Sequence, residues 1–273
     1  MTIFHAFLLG IVQGLTEFIP VSSTAHLLVF EKLLGLSPSN QLFSFSVIIQ
    51  LGTVLSMLAF FWKDIWQITS AFFLGIYHRS PFENVKARLG WLVVVATIPA
   101  LIVGFLLQKL VQSNFEQPFL QAGIRLLLTA VLLTGAEYFD KRARGLESAT
   151  WKDALTVGFF QVLAIFPGAS RSGSTIAGGM VRGFDRPSAA RFAFLMSAPI
   201  LLAAGLYESI NVVLLPGTTK FLPILLVGFL TSAVVGWIAV RWLINYLSRR
   251  SMYGFAVYCA VIGSLLLILE WIG

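Results

Sequence analysis

A chain of 273 residues that is 58% hydrophobic and only 11% charged, with mean hydropathy +0.87, is too apolar for a soluble globular domain. Apolar stretches of about 17 residues or more recur along it, long enough to cross a bilayer core, and the alternating strands of a β-barrel are absent. The net charge of +7 is explained by cytoplasmic loop bias in a membrane protein, which argues against nucleic acid as a partner.

No Lys or Arg precedes Lys32, so the N-terminus lacks the basic start of a cleaved signal peptide, and insertion through uncleaved spans is expected. The first hydrophobic region, 3–36, is split near its middle by "QGLTEFIPVSSTAH" (13–26). Gln13 and Glu17 are four apart and share one helix face. Pro20 stops that helix, and Ser22, Ser23 or Thr24 can cap the next, with His26 on the same face as Ser22 and Ser23. An ionisable group at membrane depth is costly unless paired or hydrated, which makes Glu17 a functional candidate. Capping is an equal alternative for Ser22 and Thr24, as a structural hydrogen bond is for His26. Gly10 and Gly14 read as close helix packing.

Uninterrupted apolar runs follow at 42–62, 91–107 and 119–139. A polar connector at 140–153 leads to a second split region, 154–181, and then to runs at 192–215, 221–240 and 252–271. The second split carries "PGASRSGST" (167–175). Pro167 and Gly168 break the helix, and Ser170, Arg171, Ser172 and Thr175 open the next one. Helix N-termini with free N–H groups attract anions, and a guanidinium fork fits phosphate oxygens. Arg171 therefore requires either an anionic ligand or Glu17 as its partner. The P-loop lysine and glycine spacing are missing.

Placing 63–90, 140–153, 182–191 and 241–250 on the cytoplasmic side collects 14 of the 19 Lys and Arg residues there, with 65–77 lying as an interfacial or partly inserted helix. Lys32, Lys109 and Lys220 fall outside. "GIVQGLTEFIPVSS" (10–23) also echoes "GFFQVLAIFPGASRS" (158–172), with a one-residue offset at the proline. Each split unit precedes three spans, and an odd number inverts the second copy. The expected fold is an all-α polytopic membrane protein in one domain, 1–273. It has six full transmembrane helices plus two re-entrant helix-break-helix units, in two inverted-topology repeats (about 1–139 and 154–273, joined by 140–153). Arg125 and Glu208, near outer span ends, are expected to snorkel, and Gln50 to hydrogen-bond across helices. Cys259 stands alone, so no intrachain disulfide or Cys-based zinc site forms.

These residues resemble the undecaprenyl-diphosphate phosphatase family of the BacA/UppP type. Its two signatures are [E/Q]-x-x-x-E, here Gln13–Glu17, and P-G-x-S-R-S-x-x-T, here Pro167 to Thr175 with every specified residue matched. "EFIPVSSTAH" and "VIIQLG" (47–52) are similar to it as well. The resemblance implies hydrolysis of undecaprenyl diphosphate to undecaprenyl phosphate and inorganic phosphate, with tolerance of bacitracin. It implies a site opening to the outer side of the bacterial cytoplasmic membrane and a divalent cation, Mg2+ or Ca2+. The resemblance implies a polyprenyl diphosphate substrate; membrane lipids are expected partners, and a homodimer is an open possibility. Carried over by position, Glu17 binds metal or acts as base, Ser23 is the nucleophile, and Arg171 holds the diphosphate. Ser22, Thr24, Ser170, Ser172 and Thr175 assist binding, and His26 is a further catalytic candidate. Gln13 joins Glu17 as a metal ligand, but its amide is neutral, so a cation would lean on substrate oxygens and water. Direct attack by water is the rival to a Ser23 nucleophile. A transporter or flippase of an anionic lipid or a phosphate-like anion is the competing function.

Overall fold

The computed structural model describes residues 1–106, 117–139, 144–165, 169–214 and 218–272, apart from the side chains of residue 208 and of 211–220. Lys109, Pro167, Gly168 and the side chains of Glu208 and Lys220 lie outside the described residues, as do the expectations placed on them. In chain order the helices are α1 (Ile3–Phe18), α2 (Ser23–Leu33), α3 (Asn40–Phe60), α4 (Trp62–Tyr77), α5 (Val85–Leu106) and α6 (Pro118–Tyr138). A short 3₁₀ turn (Leu146–Ser148) then leads to α7 (Trp151–Val162), α8 (Arg171–Val181), α9 (Arg186–Leu214), α10 (Thr218–Leu247) and α11 (Tyr253–Ile272). Among the described residues six segments are long and apolar enough to cross a membrane: α3, α5, α6, α11, Arg186–Tyr207 of α9 and Phe221–Leu247 of α10. The chain is a multi-pass helical membrane protein. Helix α4 buries only Gly75 and leaves Trp62, Trp66 and Phe73 exposed.

The two split regions are built alike at one constant offset. Each entering helix starts with a capping box, Thr2 with His5 on α1 and Thr150 with Asp153 on α7. Each returning helix is 11 residues long, with Ser22 at the N-cap of α2 and Ser170 at that of α8. Gly10 and Gly158 fall at that offset too, and both sit where another helix presses close. A Cβ on Gly10 would stand 2.9 Å from the Gly228 carbonyl of α10, and one on Gly158 would collide with the Ala96 carbonyl of α5.

These contacts fix directions. Gly10 faces Gly228 and Gly14 faces Val235, so α1 runs parallel to α10. Gly158 faces Ala96 while Ile165 reaches Gly104, so α7 runs parallel to α5. At the end of α2, Lys32 lies beside Glu270 (3.7 Å) and over the Phe119 ring, near the start of α6 and the end of α11. That is the end of the bundle from which α10, and therefore α1, sets out. At the opposite end, Arg182 after α8 pairs with Asp153 at the start of α7 (2.7 Å). The two returning helices thus finish at opposite ends of the bundle.

Residues from the positively charged connectors gather at the second end. Asp153 binds both Arg144 (2.8 Å) and Arg182, Arg191 binds Asp64 (2.9 Å), and Arg88 donates to the Glu147 carbonyl. Buried Glu137 pairs with Arg186 and accepts the Met252 N–H at 2.6 Å. Charges spaced far apart in sequence are thereby neutralised on one face.

Candidate active site

The tips of the two pairs meet at an ion pair. Helix α1 ends at Phe18 because Ile19 turns extended ahead of Pro20. Ser22 then adopts φ 66, a left-handed conformation unusual for a side chain with a Cβ, and α2 starts at Ser23. That reversal turns the Ser23 hydroxyl back toward Glu17 on the preceding helix. Ser23 donates to Glu17 Oε2 at 2.8 Å, and the Gln13 amide donates to the same oxygen at 2.9 Å. Glu17 Oε1 accepts from the Arg171 guanidinium, at the first turn of α8. Glu17 is buried, so this pair is held with little water around the carboxylate.

The N-terminus of α8 is tied into place by hydroxyls. Ser170 caps it by accepting the Gly173 N–H at 3.2 Å, and the Ser170 and Ser172 hydroxyls lie 3.0 Å apart. The Ser170 N–H donates to Thr129 Oγ1 of α6 at 2.9 Å, and Thr129 donates in turn to the Arg125 carbonyl at 2.7 Å.

These groups line one cavity of about 560 Å³. Its polar side carries Glu17, Ser22, Ser23 and Thr24 from the first pair, and Ser170, Arg171 and Ser172 from the second. Its apolar side includes Ala100, Leu101, Gly104 and Phe105 of α5 with Ile165 and Ile200. A cavity that combines hydroxyls and charge with a larger hydrocarbon lining accommodates an anionic head joined to a greasy tail.

Two expected site residues stand elsewhere. Thr175 is fully buried and donates to the Arg171 carbonyl at 2.8 Å, so its hydroxyl serves the helix that presents Arg171. His26 does not line the cavity. Its Nδ1 is 2.9 Å from the Ser22 carbonyl, which can only accept, and its Nε2 is 2.8 Å from the Tyr258 hydroxyl, the two rings stacked at 5.8 Å. His26 therefore holds the strained Ser22 turn. Gln13 stands behind Glu17 and orients it.

The expectation that Arg125 snorkels to the outer surface is corrected: Arg125 lines the cavity. Gln50, expected to bridge helices, lines it too, as do Gln161 and Ser197, which the sequence did not single out. Gln161 had a usable signal, since it is the counterpart of Gln13 in the echo. As a cation site the residues are a poor fit. Glu17 is the cavity's one carboxylate, already bonded three times, and no group of three His, Cys, Asp or Glu side chains gathers among the described residues.

The comparisons agree with one another. The family model described as "Bacitracin resistance protein BacA" matches residues 6–265. An undecaprenyl-diphosphatase of Chloroherpeton thalassium is 41% identical over 98% of this chain and 96% of its own. Those of Myxococcus xanthus and Anaeromyxobacter dehalogenans are 40% and 43% identical, over 98% and 97% of this chain and 89% and 90% of their own.

Proposed function

The chain belongs to the bacitracin resistance protein BacA family, and from that premise we propose the chemistry of its cavity. The protein is an undecaprenyl-diphosphatase, an enzyme that hydrolyses undecaprenyl diphosphate to undecaprenyl phosphate and inorganic phosphate. Bacitracin tolerance fits that activity. One observation carries the mechanistic reading: Ser23 donates its hydroxyl hydrogen to Glu17, and Glu17 is ion-paired with Arg171, inside a cavity with an apolar wall.

In this reading Arg171 shifts its donors to the terminal phosphate as the lipid diphosphate enters, supported by Ser170, Ser172 and the α8 N-terminus. Ser22 and Thr24 contribute from the α2 side. Glu17 takes the Ser23 proton while Ser23 Oγ bonds to the terminal phosphorus, and the bond from that phosphorus to the bridging oxygen breaks. Glu17 passes the Ser23 proton to that departing oxygen and is a free carboxylate again, and undecaprenyl phosphate leaves. Water then attacks the phosphoserine, giving a proton to Glu17, which returns it to Ser23 Oγ as the Oγ–P bond breaks and inorganic phosphate leaves. Direct attack by water activated by Glu17 is the rival. A divalent cation, Mg2+ or Ca2+, would find Glu17 as its single protein carboxylate and would lean on substrate oxygens and water, supplying neutralisation of phosphate charge.

Both helix pairs are re-entrant in this reading, and the two halves are inverted repeats. The exchanged packing of α1 on α10 and α7 on α5 supports that. The protein sits in the bacterial cytoplasmic membrane with the cavity open to the outer side. The cavity draws on the last turns of α5 and on Arg125 near the start of α6, both away from the connector-rich end. A homodimer completes the reading, testable by the mass of the detergent-solubilised protein. The opposed helix pairs also suit a transporter of the lipid, so the deciding assay contains no membrane to cross. Purified protein in detergent is expected to release phosphate from a prenyl diphosphate, with Ser23→Ala and Glu17→Gln each reducing turnover by about 10³-fold or more. Near-normal turnover by Ser23→Ala would hand the reaction to water, and no release by folded wild type would favour the transporter.

A further inference from the structure

The cavity holds a second cation that the reaction above does not use. Its ionisable lining groups are Glu17, Arg171 and Arg125. Glu17 and Arg171 neutralise each other, which leaves Arg125 as the cavity's net charge. The Arg125 side chain has no ion pair or hydrogen bond among the described residues, and its Nε is buried without a partner. Across the same lining, Gln161 is 4% exposed, and neither its amide oxygen nor its amide nitrogen has a partner among the described residues. Gln13, its counterpart in the other half, spends its amide on Glu17. Buried donors and guanidinium groups without partners are costly, and an anion that accepts from both removes that cost.

Arg125 has a defined place relative to the reaction cluster. Thr129, four residues later on the same face of α6, accepts the Ser170 N–H at the α8 N-terminus. Arg125 is therefore one helical turn, about 5.4 Å, from that junction, toward the start of α6. The apolar wall formed by Leu101, Gly104 and Phe105 lies on the last turns of α5, toward the same end of the bundle.

We propose that Arg125 and Gln161 form a second phosphate subsite that holds the lipid-linked phosphate of the substrate, while Arg171 serves the terminal one. This deepens the phosphatase reading and rests on it. The juxtaposition predicts which product each cation retains: the prenyl monophosphate keeps the phosphate held by Arg125, and inorganic phosphate is the group held by Arg171.

The experiment uses the full chain in detergent, with farnesyl diphosphate as substrate and farnesyl monophosphate and inorganic phosphate as separate binding probes. Arg125→Gln is expected to raise KM and the monophosphate Kd about tenfold or more, with kcat within about threefold and inorganic phosphate binding unchanged. Arg125→Lys should recover part of the loss, and Gln161→Leu should move the same two constants in the same direction. Unchanged KM and monophosphate binding in Arg125→Gln would overturn the subsite. Loss of inorganic phosphate binding with monophosphate binding intact would overturn the assignment to the lipid-linked group. If Arg125→Gln does not fold, the Lys and Gln161 variants decide by the same constants. Wild type that binds the monophosphate in an Arg125-dependent way but releases no phosphate would keep the anion subsite and remove the phosphatase reading.

Discussion

Glu17 accepts from Gln13, Ser23 and Arg171 at once, and each bond depends on a different part of the chain. Gln13 comes from the turn before it, Ser23 from across the strained Ser22 reversal, and Arg171 from the other helix pair. His26 contributes through that reversal. With Nδ1 on the Ser22 carbonyl and Nε2 on Tyr258, it has no free nitrogen for a substrate proton. A general base contributes about 10²- to 10⁴-fold, whereas a residue that only positions a turn contributes less. His26→Asn, which keeps a donor for the Ser22 carbonyl, is therefore expected to retain kcat within about tenfold. A larger fall with loss of the acidic limb of the pH–rate profile would make His26 the base.

Short helices rarely hold themselves in place, and here capping and buried ion pairs anchor them. The start of α7 is anchored by Asp153, which accepts from the Thr150 N–H at 2.9 Å and from Arg144 and Arg182. Burial pushes the Asp153 carboxyl up, but the hydrogen bonds from Arg144, Thr150 and Arg182 outweigh it and hold the group at about 2. A carboxyl depressed in the folded state stabilises it above the usual carboxylate pKa, and that contribution fades as pH falls from roughly 4 through 2. The size is roughly 2 kcal/mol. Thermal unfolding of wild type should weaken between pH 6 and pH 3 by more than that of Asp153→Asn, and an equal loss in both would show that this anchor is not what acid removes. Gly123 and Gly263 show the same economy between α6 and α11, since a Cβ on either would stand 3.0 Å from the other's carbonyl.

At the scale of the whole molecule, the proposed orientation rests on charge. The arginines and acidic groups gathered at one end come from the connectors that charge bias assigns to the cytoplasm, and Lys32 with Glu270 marks the other end. Cys259 is buried, so single-cysteine reporters have a quiet background. Lys32→Cys is expected to react with an impermeant maleimide from outside intact cells, and Arg249→Cys only after permeabilisation. The reverse pattern would turn the site toward the cytoplasm.

Membrane class, the span positions and both breaks were legible in the sequence, because hydrocarbon imposes long apolar runs and makes every interruption conspicuous. Glu17 and Arg171 were legible for the same reason: a charge at that depth demands a partner, and the two breaks supplied one another's. The sequence could not show which neighbours each polar group finds. Thr175 turned out to bond its own helix and His26 to bond Ser22 and Tyr258, because backbone carbonyls exposed by a break compete for nearby donors. Arg125 looked like a snorkelling residue because distance along a span does not tell which face meets a cavity. Only the packing of α6 on α8, through Thr129 and Ser170, turned that face inward and gave the cavity its second cation.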